Sequence, residues 1–255
     1  MKSETIKKNK LKKFSARLPH NFNFPKDDVE RKLLREYGAL FVAQGVAVPL
    51  VVAFKDEAEV SSFQTSAAIS KKKIGGFEIE LQTSAMKNLQ KAIKEAEQNN
   101  LSITPRGADA ARRNYFETID LWASRVEPGL EHWVKEGKLS ESKAERIRGL
   151  SPFEQASEIF KLEKKGMFFS KDLSKTIIYS VAPPGASQHL ALLALDVVEH
   201  NDESVREILA RHGWFQTVVS DLPHFTFLGV SETELFDLGL KKQVDGERSF
   251  WIPNL

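Results

Sequence analysis

The sequence predicts an α+β fold, a small antiparallel sheet flanked by several helices. Two observations carry that expectation. Helical periodicity comes mainly first in the chain, and short β-branched or aromatic runs come mainly later. That order favours α+β over a regular strand–helix alternation with a parallel sheet. No internal repeat and no long low-complexity linker divides the 255 residues, so one domain accounts for the chain.

Taken in order, the chain opens with a basic leader. Lys2, Lys7, Lys8, Lys10, Lys12 and Lys13 crowd the start, and no apolar run follows directly, so the stretch does not read as a secretory signal. Residues 1–25 are expected to be a solvated, mobile extension, and residues 26–255 the folded domain. Residues 38–54 are the most apolar stretch. They fall short of the roughly 20 residues a membrane-spanning helix needs. They also hold Gln44 and Pro49 and are rich in valine, so they are expected as buried strand.

Ala85, Leu89, Ala92, Ile93 and Ala96 recur at helical spacing, closed by Asn99-Asn100. Tyr115, Ile119, Trp122 and Val126 make one face of a second helix. Ser151-Pro152-Phe153-Glu154 is a capping box with proline at the first helical position. The helix it opens is expected to bury Phe153, Ala156, Ile159 and Phe160 and to stop at Lys164-Lys165-Gly166. Val205, Ile208 and Leu209 face the core from another helix, ended near Gly213, and Ser231 to Glu234 form a second capping box opening a short last helix. Residues 176–181, 214–219 and 225–228 read as strands bounded by Pro, Gly or Asp.

Composition removes several classes. Hydrophobic residues make up 41% of the chain, enough for a true core. A formal net charge of +2 argues against a nucleic-acid binder. With no cysteine, disulfides and thiolate zinc sites are excluded, so any metal is held by imidazole and carboxylate.

Six histidines are present, and two sit in suggestive settings. His189 is followed by Asp196, and His224 lies in Asp221-Leu222-Pro223-His224-Phe225. His, Asp and His suit zinc, and three protein ligands leave a position for water, which the metal activates. Asp221, three residues before His224, is placed to move a proton. Spacing alone leaves the matter open, because an isolated histidine is more often a surface or core residue. A separation of seven puts His189 and Asp196 on one side of a helix but on opposite faces of a regular strand.

The segment Ser187-x-His189-x-x-Leu192-x-Ala194-x-Asp196 resembles the SxHxxGxAxD motif of zinc D-alanyl-D-alanine carboxypeptidases and dipeptidases of the VanY and VanX type. Asp221-Leu222-Pro223-His224, followed by an aromatic strand and Gly229, resembles their ExWH segment. His212-Gly213-Trp214-Phe215 is similar to the aromatic strand start that precedes it, and Leu101-Ser102-Ile103-Thr104-Pro105-Arg106 loosely resembles the SGYRS segment of their substrate arginine. The ordered resemblance runs over residues 85–229.

It implies a Hedgehog/DD-peptidase type of fold with its site within residues 185–229. It implies Zn2+ on His189, Asp196 and His224, and Asp221 as general base. Arg106 would grip a peptide's terminal carboxylate, and Ser187 would line the substrate site. The implied partner is a peptidoglycan stem peptide or a small D-Ala-D-Ala-type peptide, with no nucleic acid and no membrane span. A cell-wall substrate implies the periplasm or cell envelope; the leader, which reads as no signal peptide, fits the cytoplasm, so the compartment stays open. Two positions depart from the family. Asp221 stands where the family has Glu, one methylene longer, and Leu192 where it has glycine. Both departures favour an alternative, a zinc-containing binding module of the same fold with weak or no turnover.

Overall fold

The computed structural model describes residues 13–255. Lys2 to Lys12 of the basic leader lie outside the described residues. Residues 13–25 belong to the packed body: Phe14, in a short 3-10 turn, and Phe22 are buried in the main core.

Seven α-helices are described. Helices α1 (Asp28–Tyr37) and α2 (Glu57–Ser66) start on Asp27 and Asp56, whose carboxylates accept the backbone N–H groups of Glu30 and Glu59. Strands β1 (Ile69–Ile74) and β2 (Phe77–Gln82) form a hairpin closed by Gly75-Gly76, both at positive φ, as a tight two-residue turn requires. Helix α3 (Thr83–Gln98) buries the predicted Ala85, Leu89, Ala92 and Ala96. Helix α4 (Tyr115–Lys135) opens on an Asn114/Glu117 capping box and buries Trp122 and Val126. Helix α5 (Glu141–Arg148) precedes α6 (Pro152–Glu163), which the Ser151/Glu154 box opens as expected.

The central sheet has the order β3-β5-β4, all antiparallel: β3 (Ala194–Asp196), β4 (Trp214–Phe215) and β5 (His224–Phe227). Helix α7 (Glu203–Arg211) connects β3 to β4. A last hairpin pairs β6 (Leu240–Asp245) with β7 (Arg248–Pro253). Helices and small antiparallel sheets thus make an α+β fold. One apolar core joins α1, α3, α4, α6 and α7 to the central sheet, and all four tryptophans are buried. Among the described residues, no helix is long and apolar enough to cross a membrane.

Several expectations are corrected. Residues 38–54 are not a strand but a 3-10 turn, Gly38–Val42, followed by irregular chain. Their backbone groups are satisfied without a ladder: the Gln82 side chain takes the Ala47 N–H and donates to the Ala47 carbonyl, and the Gln44 N–H donates to Leu228. Residues 176–181 hold a 3-10 turn, Ile177–Tyr179, because the buried Glu163 carboxylate accepts both the Thr176 hydroxyl and the Ile177 N–H. The expected strand over 214–219 keeps only Trp214–Phe215, and the Ser231/Glu234 box forms but opens only the 3-10 turn Glu232–Glu234. Phe153, expected in the core, is exposed.

Candidate metal centre

His189 sits in a 3-10 turn, Gln188–Ala191, and Asp196 ends β3. Between them Leu192 takes a left-handed conformation at φ +58 and turns the chain into the strand. That break lets two residues seven apart reach the same point, which neither a regular helix nor a regular strand explains here. The turn is fixed upstream by Gly185, at φ +81, whose carbonyl accepts the Phe54 N–H; a Cβ there would lie 2.0 Å from the Phe54 carbonyl oxygen. His224 starts β5 and stands directly opposite Asp196 in the β3–β5 register.

The three side chains converge through one oxygen. Asp196 Oδ1 lies 3.4 Å from His189 Nε2 and 3.2 Å from His224 Nδ1. The rings stand at 72°, their centroids 4.9 Å apart. Among the described residues, this is the one group of three or more His and carboxylate side chains whose ligand atoms gather so closely, all within 4.8 Å of one another.

Each imidazole has its other nitrogen occupied. His189 Nδ1 lies 3.0 Å from the Ala111 carbonyl, which only accepts, so Nδ1 carries the proton and Nε2 offers a lone pair. For His224 the assignment reverses. Gln188 donates its Nε2 to the Tyr37 carbonyl at 2.9 Å, which turns its Oε1 to His224 Nε2 at 2.8 Å; Thr226 also donates to that oxygen. His224 therefore carries its proton on Nε2 and offers Nδ1. Two opposite tautomers thus aim their free lone pairs at the same carboxylate oxygen. Hydrogen bonds of this kind at the other ring nitrogen are what orient metal-ligating histidines.

The charge states fit as well. Burial pushes the His189 imidazole down, with Asp196 pulling the other way and Arg113 adding to the depression, so the ring is neutral at neutral pH. The Arg113 guanidinium, 3.2 Å from Asp196 Oδ2, favours the ionised form of that carboxyl. A metal needs neutral imidazole and ionised carboxylate. Zinc bonds of about 2.0–2.1 Å in a tetrahedron place ligand atoms about 3.3 Å apart, which the two distances at Asp196 Oδ1 match. The group offers two imidazoles and one carboxylate and is able to hold a metal.

His189 and His224 line a cleft of about 190 Å³ together with Ser187, Asp221, Arg113 and Tyr179. Ser187 is buried and precedes the turn that carries His189. Asp221 is exposed at the cleft, and its charge, after burial and Glu36, helps raise the Tyr37 phenol well above its usual value. Among the described residues its carboxylate makes no hydrogen bond or ion pair.

Arg106 is not brought into the cleft. Its side chain is exposed, and it meets the centre through its backbone N–H, which donates to the Asp196 carbonyl at 3.0 Å. The guanidinium that does line the cleft is Arg113, seven residues on. Its Nη2 lies 3.2 Å from Asp196 Oδ2, and its buried Nε has no partner among the described residues. Sequence reasoning missed Arg113 and Gln188. Arg113 follows another arginine with no distinguishing pattern, and Gln188 occupies an unspecified position between two motif residues.

No family model and no curated protein sequence matches the chain. Among solved structures, the chain is similar to a mutant of the vancomycin-resistance D,D-pentapeptidase VanY from a VanB-type resistance cassette, in complex with Zn(II). That likeness has 12% identity and a TM-score of 0.39, covering 68% of this chain and 86% of the other. A second is VanYB in complex with D-alanine-D-alanine, at 14% identity and the same TM-score of 0.39, again covering 68% and 86%.

Proposed function

We propose that this chain is a zinc-dependent peptidase that hydrolyses a peptide bond near a D-amino-acid C-terminus, acting as a D-Ala-D-Ala carboxypeptidase on peptidoglycan stem peptides. The observation that carries the reading is the convergence of His189 Nε2 and His224 Nδ1 on Asp196 Oδ1, within the motif segments that resemble that family. His189, Asp196 and His224 would hold the ion, which supplies Lewis acidity toward water and the scissile carbonyl.

The chain's own residues have separate tasks. Asp221, at the cleft, takes a proton from the attacking water on a carboxylate oxygen and returns it to the leaving amine. Arg113, rather than the exposed Arg106, is the cation that lines the cleft, and its guanidinium suits a terminal carboxylate. Ser187 lines the same wall and offers a hydroxyl to the peptide.

A second reading, a zinc-containing binding module with weak or no turnover, is favoured by one observation: no hydrogen bond holds the Asp221 carboxylate in place among the described residues. Release of D-alanine from an acyl-D-Ala-D-Ala peptide by zinc-loaded protein separates the two. The peptidase reading expects turnover that falls by at least about 100-fold in Asp221→Ala with zinc retained. It further expects Asp221→Glu to keep or raise the rate. No release from the wild type or from Asp221→Glu supports the binding module.

A further inference from the structure

A second recess of about 680 Å³ adjoins the cleft that holds His189 and His224, and Tyr179, Ser180 and Ser220 line both. The second recess also takes in Arg125, Lys171 and Lys175, with Asp172 as the one carboxylate. Three cations against one anion leave a surplus of two positive charges in a chain whose net charge is only +2.

None of the three cations is neutralised within the described residues. Arg125 bonds only to Ser124, through Nη1, and its buried Nε has no partner. Lys175 lies over the Tyr179 ring, 5.6 Å from its centroid, and the Lys171 ammonium makes no hydrogen bond or ion pair among the described residues. The one acid is already engaged. Asp172 accepts the Ser170 and Ser174 hydroxyls, each at 2.7 Å, and these bonds hold its carboxyl down at about 2.

The lysines also sit on a tied loop. The Ser170 N–H donates to the Lys175 carbonyl, the Lys175 N–H returns to the Ser170 hydroxyl at 2.9 Å, and the Lys171 N–H donates to Ser180 at 2.8 Å. The last bond fastens the loop to the wall shared with the metal cleft. Cations held on one wall of a recess concentrate their field there and draw in anions.

We propose that this recess is a substrate subsite for a second anionic group, a carboxylate or phosphate carried by the ligand some way from its reacting end. The proposal rests on the peptidase reading for the ligand in the first cleft. A ligand seated at His189 and His224 leaves the cleft past Tyr179, Ser180 and Ser220, and there meets Arg125, Lys171 and Lys175. The subsite selects acidic over neutral peptides through charge, and salt weakens that selection.

The test is equilibrium binding of fluorescent peptides ending in D-Ala-D-Ala to the zinc-loaded full chain, with Asp221→Ala to prevent turnover. The peptides carry glutamate, phosphoserine or glutamine at each of the three positions before the terminal pair. An acidic residue at one of these positions is expected to tighten binding about tenfold at low salt, as two or three exposed ion pairs would. The triple variant Arg125→Gln, Lys171→Gln, Lys175→Gln removes that advantage and leaves the glutamine peptide's affinity unchanged. Preference for phosphoserine over glutamate, or the reverse, assigns the anion. Equal binding of acidic and neutral peptides at every position overturns the subsite and leaves the peptidase reading standing, as does equal weakening of all peptides in the triple variant. Binding of no peptide overturns both.

Discussion

Asp196 and His224 face each other directly across β3 and β5, and the Oδ1 of one lies 3.2 Å from the Nδ1 of the other. The placement of these two side chains is therefore fixed by strand register. A slip of one residue would send one of them to the opposite face of the sheet. Asp196→Asn keeps the shape and removes the charge. It is expected to lower zinc affinity by more than about 100-fold, the upper range for losing only a second-shell partner. Chelator competition measures it, and unchanged affinity would exclude Asp196 as a ligand.

Gln188 holds the tautomer of His224, since its Oε1 accepts the Nε2 proton while its own amide is fixed on Tyr37. Gln188→Leu removes that acceptor and leaves the ring free to carry its proton on Nδ1. Zinc affinity is expected to fall about 10- to 100-fold. A Gln188→Glu variant, which keeps an acceptor, should lose less. Equal losses in both would mean that packing, not the hydrogen bond, is what Gln188 supplies.

Leu192 sets two effects against each other. Its φ of +58 costs a non-glycine residue roughly 1–2 kcal/mol, but its side chain is fully buried. Deleting a buried leucine side chain costs about 2–5 kcal/mol, and glycine adds flexibility to the unfolded chain. Leu192→Gly is therefore expected to destabilise the protein by about 2–4 kcal/mol in urea unfolding. A stabilised variant would show that backbone strain outweighs burial at this turn.

Glu163 ties α6 to the cleft wall, accepting the Thr176 hydroxyl and the Ile177 N–H, with Lys32 at 3.9 Å. Burial raises its carboxyl above the ordinary 4.5, more than these bonds and Lys32 lower it. The folded state thus keeps this proton at a pH where the unfolded chain has released it. The group's contribution to stability is full below about 4.5 and is lost as pH rises through the folded value. Relative to Glu163→Gln, the wild type should lose stability on going from pH 4 to pH 7. A relative gain over that interval would mean that Lys32 and the hydrogen bonds outweigh burial.

Much of this was legible because local chemistry and tertiary packing agree. The capping box at Ser151 and the periodic faces of α3, α4 and α7 form where the pattern puts them, and α6 keeps its face but for Phe153. The failures fall where distant groups decide. Residues 38–54 look like a strand, but the Gln82 side chain, 35 residues away from Ala47, supplies the partners a ladder would have given. Residues 176–181 look like a strand until Glu163 caps them as a turn. The β1–β2 and β6–β7 hairpins escaped because one strand of each, β1 or β6, is charged and largely exposed. At the site, His189, Asp196 and His224 stand in spaced motifs, and the fold brings the three together. Arg113 reaches Asp196 over 83 residues of separation, which no local pattern announces.

Metal content by elemental mass spectrometry, after zinc loading at neutral pH, tests the centre most directly. About one zinc per chain is expected in the wild type, and none retained in His189→Ala or His224→Ala. A folded wild type that takes up no zinc, or a metal content unchanged by either substitution, would contradict it.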